Sequence, residues 1–187
     1  MDQPTLAIVI VALAALVIVA ILFAAAQRQR QQRREHFGPE YERLVEAEGD
    51  KARADRILAE REQRVKKLDI RPLPDTAREQ FVARWRQVQA RFVDDPRGAV
   101  TDADVLIGEA MEARGYPVSD FEQRAADVSV EHPQVVVNYR TAHDIARQRD
   151  ADTEDLRKAM VHYRSLFEAL VSGPREERIE DREESHR

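Results

Sequence analysis

The feature that most constrains this chain is an uninterrupted apolar run near its start. The run begins at Leu6, ends at Ala26 and contains no charged or polar side chain across its 21 residues. In a helix, at about 1.5 Å per residue, it would extend about 31 Å, close to the ~30 Å thickness of a bilayer's hydrocarbon core. We therefore predict that residues 6–26 form a transmembrane helix that contacts the lipid bilayer.

Basic residues directly after the run predict its orientation. They are Arg28, Arg30, Arg33 and Arg34. Arginine and lysine that flank a span are retained on the cytoplasmic side. The sequence thus predicts a single-pass protein of the inner (plasma) membrane, with residues 1–5 outside and the large C-terminal part in the cytoplasm. The same arginines could touch anionic headgroups, but we favour the interpretation that they only set the topology.

Two further features of the apolar run bear on its role. Its last three alanines, residues 24–26, resemble a signal-peptidase site. However, a cleaved signal has a shorter apolar region and a basic start, which this chain lacks. Ala20 and Ala24 form a small-xxx-small pair of the kind that lets two spans pack closely. A homo-oligomer formed through the span is therefore left open.

Residues 27–74 are predicted to form a basic collar and a charged stalk helix that ends in a linker. Apolar residues are sparse here, and Gly49-Asp50 is expected to mark a break. A heptad would place Leu44, Lys51, Leu58 and Val65 in one seam. The lysine weakens the case for a coiled coil, and we favour a stalk that packs one narrow stripe on the domain. Two prolines at 72 and 74 end this region.

Residues 75–172 are predicted to form a compact bundle of about four helices, which makes the fold class all-α. The clearest buried stripe is Phe81, Trp85, Val88 and Phe92, at helical spacings of 4, 3 and 4. Capping boxes at 76–79 and 119–122 and the His132-Pro133 pair each predict a helix start. Gly115 predicts a helix end. The charged tail, residues 173–187, is predicted to be disordered.

No residue pattern in the chain indicates a chemical reaction. Cysteine is absent, no two of the six glycines have phosphate-loop spacing, and the five histidines form no H-E-x-x-H motif. Without Asp2, the one charged residue among the first 26, the net charge changes only from −5 to −4. This acidic balance gives no reason to expect nucleic acid as a partner. We therefore predict no enzyme activity, no catalytic residue, no metal and no cofactor.

A helical domain without a catalytic constellation is most simply a binding protein. We expect an adaptor or scaffold that presents a surface to an unidentified protein at the membrane. The candidate surface comprises the polar turn regions and is made of Arg91, Asp94, Asp95, Arg97, Arg114, Tyr116 and Arg124. The alternative for these residues is that they connect and cap helices.

Two rival functions belong to other classes. One is a ligand-binding or enzymatic helical domain in which His143, His162 and nearby arginines face a pocket. The other is a structural self-assembler in which the span and the stalk form an oligomer. The sequence leaves both open.

Three segments carry a resemblance to a known family. They are RWRQVQARFVDDPRGAV, RGYPVSDFEQRAADVSVEHPQVV and TEDLRKAMVHYRSLFEALV, within about residues 76–171. In these segments the chain resembles a bacterial family of uncharacterised proteins, frequent among actinobacteria and usually predicted to carry an N-terminal membrane segment. The resemblance implies a bacterial inner-membrane setting. It implies no activity, and it brings no functional residues to this chain.

Overall fold

The computed structural model describes the backbone of residues 3–172 and the side chains of Leu13 and residues 16–172. This part of the chain is entirely helical, with eight helices and no strand, which confirms the all-α prediction. The helices are α1 (Gln3–Phe37), α2 (Pro39–Glu48), α3 (Lys51–Val65), α4 (Asp75–Arg91), α5 (Pro96–Arg114), α6 (Phe121–Glu131), α7 (Pro133–Arg147) and α8 (Thr153–Ser172). About four helices were expected in residues 75–172, but five lie there.

Helix α1 contains the apolar run and the arginine collar in one continuous element. None of the helices, over the residues whose side chains are described, is long and apolar enough to cross a membrane. The predicted span at 6–26 lies partly outside that set, because the side chains of Leu6 and most of the first half of the run are not described. The predicted disordered tail lies outside the described residues altogether.

The predicted single stalk helix is instead a helical hairpin made of α2 and α3. Gly38, with φ +44°, separates α1 from α2, and Pro39 opens α2. Gly49 then ends α2 in the left-handed conformation, with φ +67°, and the Asp50 side chain caps α3 by accepting a hydrogen bond from the Ala52 N–H. The expected break at Gly49-Asp50 is therefore confirmed.

The structure does not support the coiled-coil alternative over these residues. The break at Gly49-Asp50 interrupts the heptad before Lys51, which is exposed. Its apolar members, Leu44, Leu58 and Val65, are buried within the chain's own fold. They are thus not available to form a seam with another helix.

Local capping explains most of the helix boundaries in residues 75–172. Asp95 caps α5 by accepting from the Gly98 N–H, and Gly115 ends α5 with φ +102°, as predicted for Gly115. The N-cap residues differ from those of the two predicted capping boxes, by two residues at α4 and by one residue at α6. Helix α4 begins at Asp75 rather than after Thr76, and Asp120 rather than Ser119 caps α6. In both cases a neighbouring aspartate takes the helix start, where a carboxylate is favoured by the dipole.

The main core is enclosed by helices α4–α8, with α8 packed against α5, α7 and α4. Trp85 of α4 stacks on Phe167 of α8 with ring centroids 4.5 Å apart. Tyr139 and Tyr163 are completely buried between α7 and α8. The predicted α4 stripe is confirmed at Phe81 and Trp85, while the other two members of the stripe are half-buried against the same core.

A second, smaller core fixes the N-terminal helices to this bundle. It contains Phe37 at the end of α1, two residues each of α2 and α3, and half-buried Val130 of α6. Helix α2 packs on α7 and α3 packs on α6. The hairpin is therefore part of the folded domain, and the last turns of α1 contact α2, α3 and α7.

Candidate functional site

Four of the predicted surface residues meet at the turn between α4 and α5. Arg91 donates hydrogen bonds to Asp95, at 2.6 Å, and to Asp102 on α5, at 2.5 Å. These bonds hold the pKa of Arg91 above its usual value, and the Gly98 N–H and Arg91 lower the pKa of Asp95. Asp94 is exposed in the turn. Asp95 thus caps α5, in agreement with the alternative that these residues connect and cap helices. The turn itself stays at the surface.

Arg97 connects this turn to another part of the bundle. Its guanidinium donates to the carbonyl oxygens of Gln148, Arg149 and Ala151, at 3.1–3.3 Å. These carbonyls lie in the connection between α7 and α8. Arg97 is exposed and also structural, because it fixes the loop that leads into α8.

Arg114 and Tyr116 do not lie on the surface, so their assignment to a partner surface is wrong. They are only 4% and 3% exposed. Arg114 donates to Glu131 at 3.1 Å and to the Arg71 carbonyl oxygen at 3.3 Å, and the Tyr116 hydroxyl donates to Glu131 at 2.8 Å. Burial and the Glu131 charge both raise the pKa of Tyr116. The left-handed turn at Gly115 directs both side chains inward.

Arg124 is half-buried and belongs to a separate polar cluster. It contacts Asp104 on α5 at 3.4 Å, and Asp104 also accepts a hydrogen bond from the buried Tyr139 hydroxyl at 3.2 Å. Burial and the nearby Asp104 charge raise the pKa of Tyr139. This cluster joins α5, α6 and α7, so Arg124 contributes mainly to the connection between helices.

The histidines of the rival ligand-binding hypothesis have different surroundings. The ring of His143 stacks on Phe121, with centroids 3.5 Å apart, and burial lowers the pKa of His143. His162 lies on α8 and is half-buried. Within residues 3–172, no three His, Asp or Glu side chains are grouped as they would be around a metal ion.

Three of the collar arginines form ion pairs with the α2–α3 hairpin. Arg33 donates to Glu62 at 3.0 Å, Arg34 donates to Glu42 at 3.3 Å, and Arg30 lies 3.8 Å from Asp55. The collar therefore serves the fold as well as any topological role, because it links the end of α1 to α2 and α3.

Sequence reasoning missed a buried charge network around Glu40, which is completely buried in the first turn of α2. Its carboxylate accepts from Arg43 at 2.8 and 2.9 Å, from Arg61 of α3 at 2.8 Å and from Arg140 of α7 at 3.4 Å. Burial alone would raise the pKa of Glu40. The hydrogen bonds from Arg43 and Arg61 and the charge of Arg140 outweigh it and lower the pKa to about 2.

The same network extends to α6 and to the surface. Arg61 also donates to Ser129 at 3.3 Å, and Arg140 also donates to Glu122 at 2.7 Å. Nearby, Arg64 of α3 donates to the buried carboxylate of Asp127 on α6. The Glu40 network and the Arg64–Asp127 pair thus join the α2–α3 hairpin to the bundle, where the second apolar core is small.

A groove lies between the last turns of α1 and the α2–α3 hairpin. Its volume is about 900 Å³. It is lined by Gln27, Arg28, Arg30, Gln31, Arg34, Glu35, Gly38, Tyr41, Glu42, Lys51 and Asp55. This basic groove begins at the residue that follows the apolar run.

Comparison with known proteins finds no family model, curated protein or solved structure that matches the chain. The resemblance to a bacterial family with an N-terminal membrane segment therefore stays a prediction.

Proposed function

We propose that this protein is a membrane-anchored helical adaptor of the bacterial inner membrane, with residues 6–26 as its single span and the helical domain in the cytoplasm. The observation that supports the proposal most directly is the surface of α1. Every residue from 16 to 26 is exposed. The large apolar side chains among them are 53–67% exposed, and they are Leu16, Val17, Ile18, Val19, Ile21, Leu22 and Phe23.

The rest of the described chain has no comparable surface. Outside α1, the exposed large hydrophobic residues of the described chain are isolated valines, at positions 93, 105, 118 and 161. Contiguous exposed apolar surface is rare on soluble proteins and marks an interaction with membrane or protein. A bilayer suits an apolar surface that surrounds a helix on all sides, because hydrocarbon contacts every face of a span.

The orientation follows from charge. Four arginines lie within eight residues after Ala26, whereas the five residues before Leu6 contain none. Under the positive-inside rule this asymmetry places the domain in the cytoplasm. The three ion pairs of the collar do not oppose this argument, since the arginines stay charged when they are paired.

The adaptor role is supported by what the charged residues do. The buried charges form ion pairs that join helices, which is a structural arrangement. The part of the predicted surface that remains exposed is the turn containing Arg91, Asp94 and Arg97, and Val93 in this turn is 83% exposed. An apolar side chain surrounded by charged ones matches the pattern of a protein interface, whose centre is apolar and whose rim is polar. We propose this turn as the contact surface for a partner protein.

The anchor is tested by introducing arginine into the apolar run of the full chain. Leu16→Arg combined with Val19→Arg is expected to abolish retention in membranes after alkaline extraction, because each arginine near the centre of a span costs about 3 kcal/mol. Val118→Arg with Val161→Arg is the matched control, and this variant should stay in the membrane. C-terminal reporters active on opposite sides should place the domain inside. Extraction of the unmodified chain at alkaline pH, or a C-terminus outside, would contradict the proposal.

The contact surface is tested separately in intact cells with a photo-crosslinking residue at position 93 and, as the control, at position 161. A discrete adduct formed only from position 93, and weakened when the exposed Asp94 is changed to Arg, is expected. Equal adducts from both positions would contradict a contact surface at the turn.

A further inference from the structure

The basic groove between α1 and the α2–α3 hairpin has cations that the fold does not use. Arg28 and Lys51 line the groove, and neither has an ion-pair or hydrogen-bond partner for its side chain among the described residues. By contrast, Arg30 and Arg34 in the same groove are paired with Asp55 and Glu42. A groove that keeps two unpaired cations at one end is suited to an external anion.

The ion pairs between α1 and α3 show at which end of the groove Arg28 and Lys51 lie. Arg30 of α1 pairs with Asp55 of α3, and Arg33 pairs with Glu62 further along. The two helices therefore advance in the same direction, and Lys51, which precedes Asp55, lies toward the apolar end of α1. Arg28 is two residues after Ala26. The unpaired cations thus lie together at the end of the groove nearest the apolar run.

The acidic residues of the groove lie mainly at the end away from the apolar run. Glu35 and Glu42 line the groove at the end away from the apolar run, where Arg34 is the only cation. Among the residues that line the near end, Arg28, Arg30 and Lys51 are basic and Asp55 is acidic. The groove therefore carries net positive charge where it approaches Ala26 and net negative charge where it approaches Gly38.

The distance from the apolar run matches the depth of a headgroup layer. A bilayer of 40–45 Å with a ~30 Å hydrocarbon core has a headgroup layer of about 5–8 Å on each side. At about 1.5 Å per helical residue, this layer corresponds to roughly three to five residues after Ala26. Arg28 and Arg30 fall within it, whereas Arg34 lies beyond it.

We propose that the near end of this groove binds the phosphate of an anionic phospholipid in the cytoplasmic leaflet. The inference rests on the membrane anchor of the proposed function and adds a lipid class to it. Arginine matches the geometry of phosphate oxygens with two parallel N–H donors, and lysine contributes a compact charge. The net positive charge of the near end selects an anionic headgroup over a zwitterionic one.

The test uses the full chain in a zwitterionic detergent, titrated with phosphatidylglycerol or with phosphatidylcholine of the same acyl chains. Native mass spectrometry gives the dissociation constant of the first bound lipid. We expect tighter binding of phosphatidylglycerol by at least tenfold. In the variant R28Q/K51Q this preference should fall to within about twofold, because each basic residue near the membrane surface contributes roughly fivefold.

The matched control is K66Q/K67Q, which removes the same charge from the opposite end of α3, where both lysines are exposed. This control should keep the full preference. Equal losses in the two variants would show a general charge effect and would overturn the site, as would an unchanged preference in R28Q/K51Q. Arg28 and Lys51 are exposed and unpaired, so the first variant is expected to fold, and its circular dichroism spectrum checks this.

Two further measurements distinguish a lipid phosphate from free phosphate, and a failure of the groove proposal from a failure of the membrane anchor. Inorganic phosphate at millimolar concentration should not displace the lipid, and displacement would assign the groove to free phosphate and overturn the lipid proposal. Alkaline extraction of the same chains from vesicles reports on the anchor alone. A chain that stays in the vesicles but shows no lipid preference would overturn only the groove, whereas a chain that is extracted would overturn the proposed function as well.

Discussion

The two parts of the domain are held together by different physical means. The bundle of α4–α8 encloses a core of aromatic and aliphatic side chains, including the stacked pair Trp85 and Phe167. The α2–α3 hairpin has a small core and is joined to the bundle by buried charges centred on Glu40. Apolar packing tolerates small displacements, but a buried carboxylate needs all its donors in place. The attachment of the hairpin therefore depends on a few specific charged partners, whereas the bundle depends on the packing of many apolar side chains.

The largest effect is expected from the bundle core. Trp85→Ala removes a buried ring that stacks on Phe167, and should lower the free energy of unfolding by about 4 kcal/mol, within the range for large aromatic truncations. Denaturant unfolding of the full chain in nonionic detergent, followed by circular dichroism, measures this. Val93→Ala is the control and should change the free energy by less than about 0.5 kcal/mol, because Val93 is exposed. A loss below 1 kcal/mol for Trp85→Ala would contradict the described core.

The hairpin is tested by Glu40→Gln, which leaves three guanidiniums around a neutral amide. Removing one partner of a buried ion pair costs about 3 kcal/mol or more. We expect amide protection in α2 and α3 to fall while that in α5 and α8 is kept, as measured by hydrogen exchange. Glu42→Gln is the matched control, since Glu42 forms only an exposed pair with Arg34, worth about 0–1 kcal/mol. Uniform loss of protection across all helices would show that the two parts are not separable.

The smallest effect is a pH dependence that belongs to the hairpin. The pKa of Glu40 is lowered from 4.5 to about 2 by its arginine neighbours. Its contribution to stability is therefore complete above about pH 4.5 and is lost as the pH falls toward 2. At pH 3.5 the loss should be about 1 kcal/mol, from the different proton uptake of the folded and unfolded chains. Glu40→Gln lacks this component, so the stability gap between the two proteins should narrow as the pH falls. A gap that does not change between pH 6 and 3.5 would contradict the role of Glu40.

The same comparison explains how much of the fold could be predicted. The α4 stripe at Phe81 and Trp85 and the stop at Gly115 each depend on residues within a few positions of one another. Periodicity and capping chemistry are local, so these predictions are confirmed. At α6 the helix start shifted by one residue because the adjacent Asp120 took the cap.

The candidate site was harder to predict because its contacts are distant in sequence. Arg61 and Arg140 reach Glu40 across 21 and 100 positions. A glutamate after a proline in a first turn is ordinarily a solvated residue favoured by the helix dipole, and nothing local marks Glu40 as buried. Arg114 and Tyr116 were assigned to the surface for the same reason, since a polar turn does not reveal which side chains it directs inward.

The join between α1 and α2 is a single residue, Gly38, whose φ of +44° is a conformation that L side chains rarely adopt. Phe37 before it is buried, and Glu40 two residues after it is held by three arginines. Only one non-helical residue lies between the apolar helix and the first helix of the hairpin. A change in the angle between α1 and the domain would therefore have to occur at Gly38 itself, between two residues that the domain holds in place.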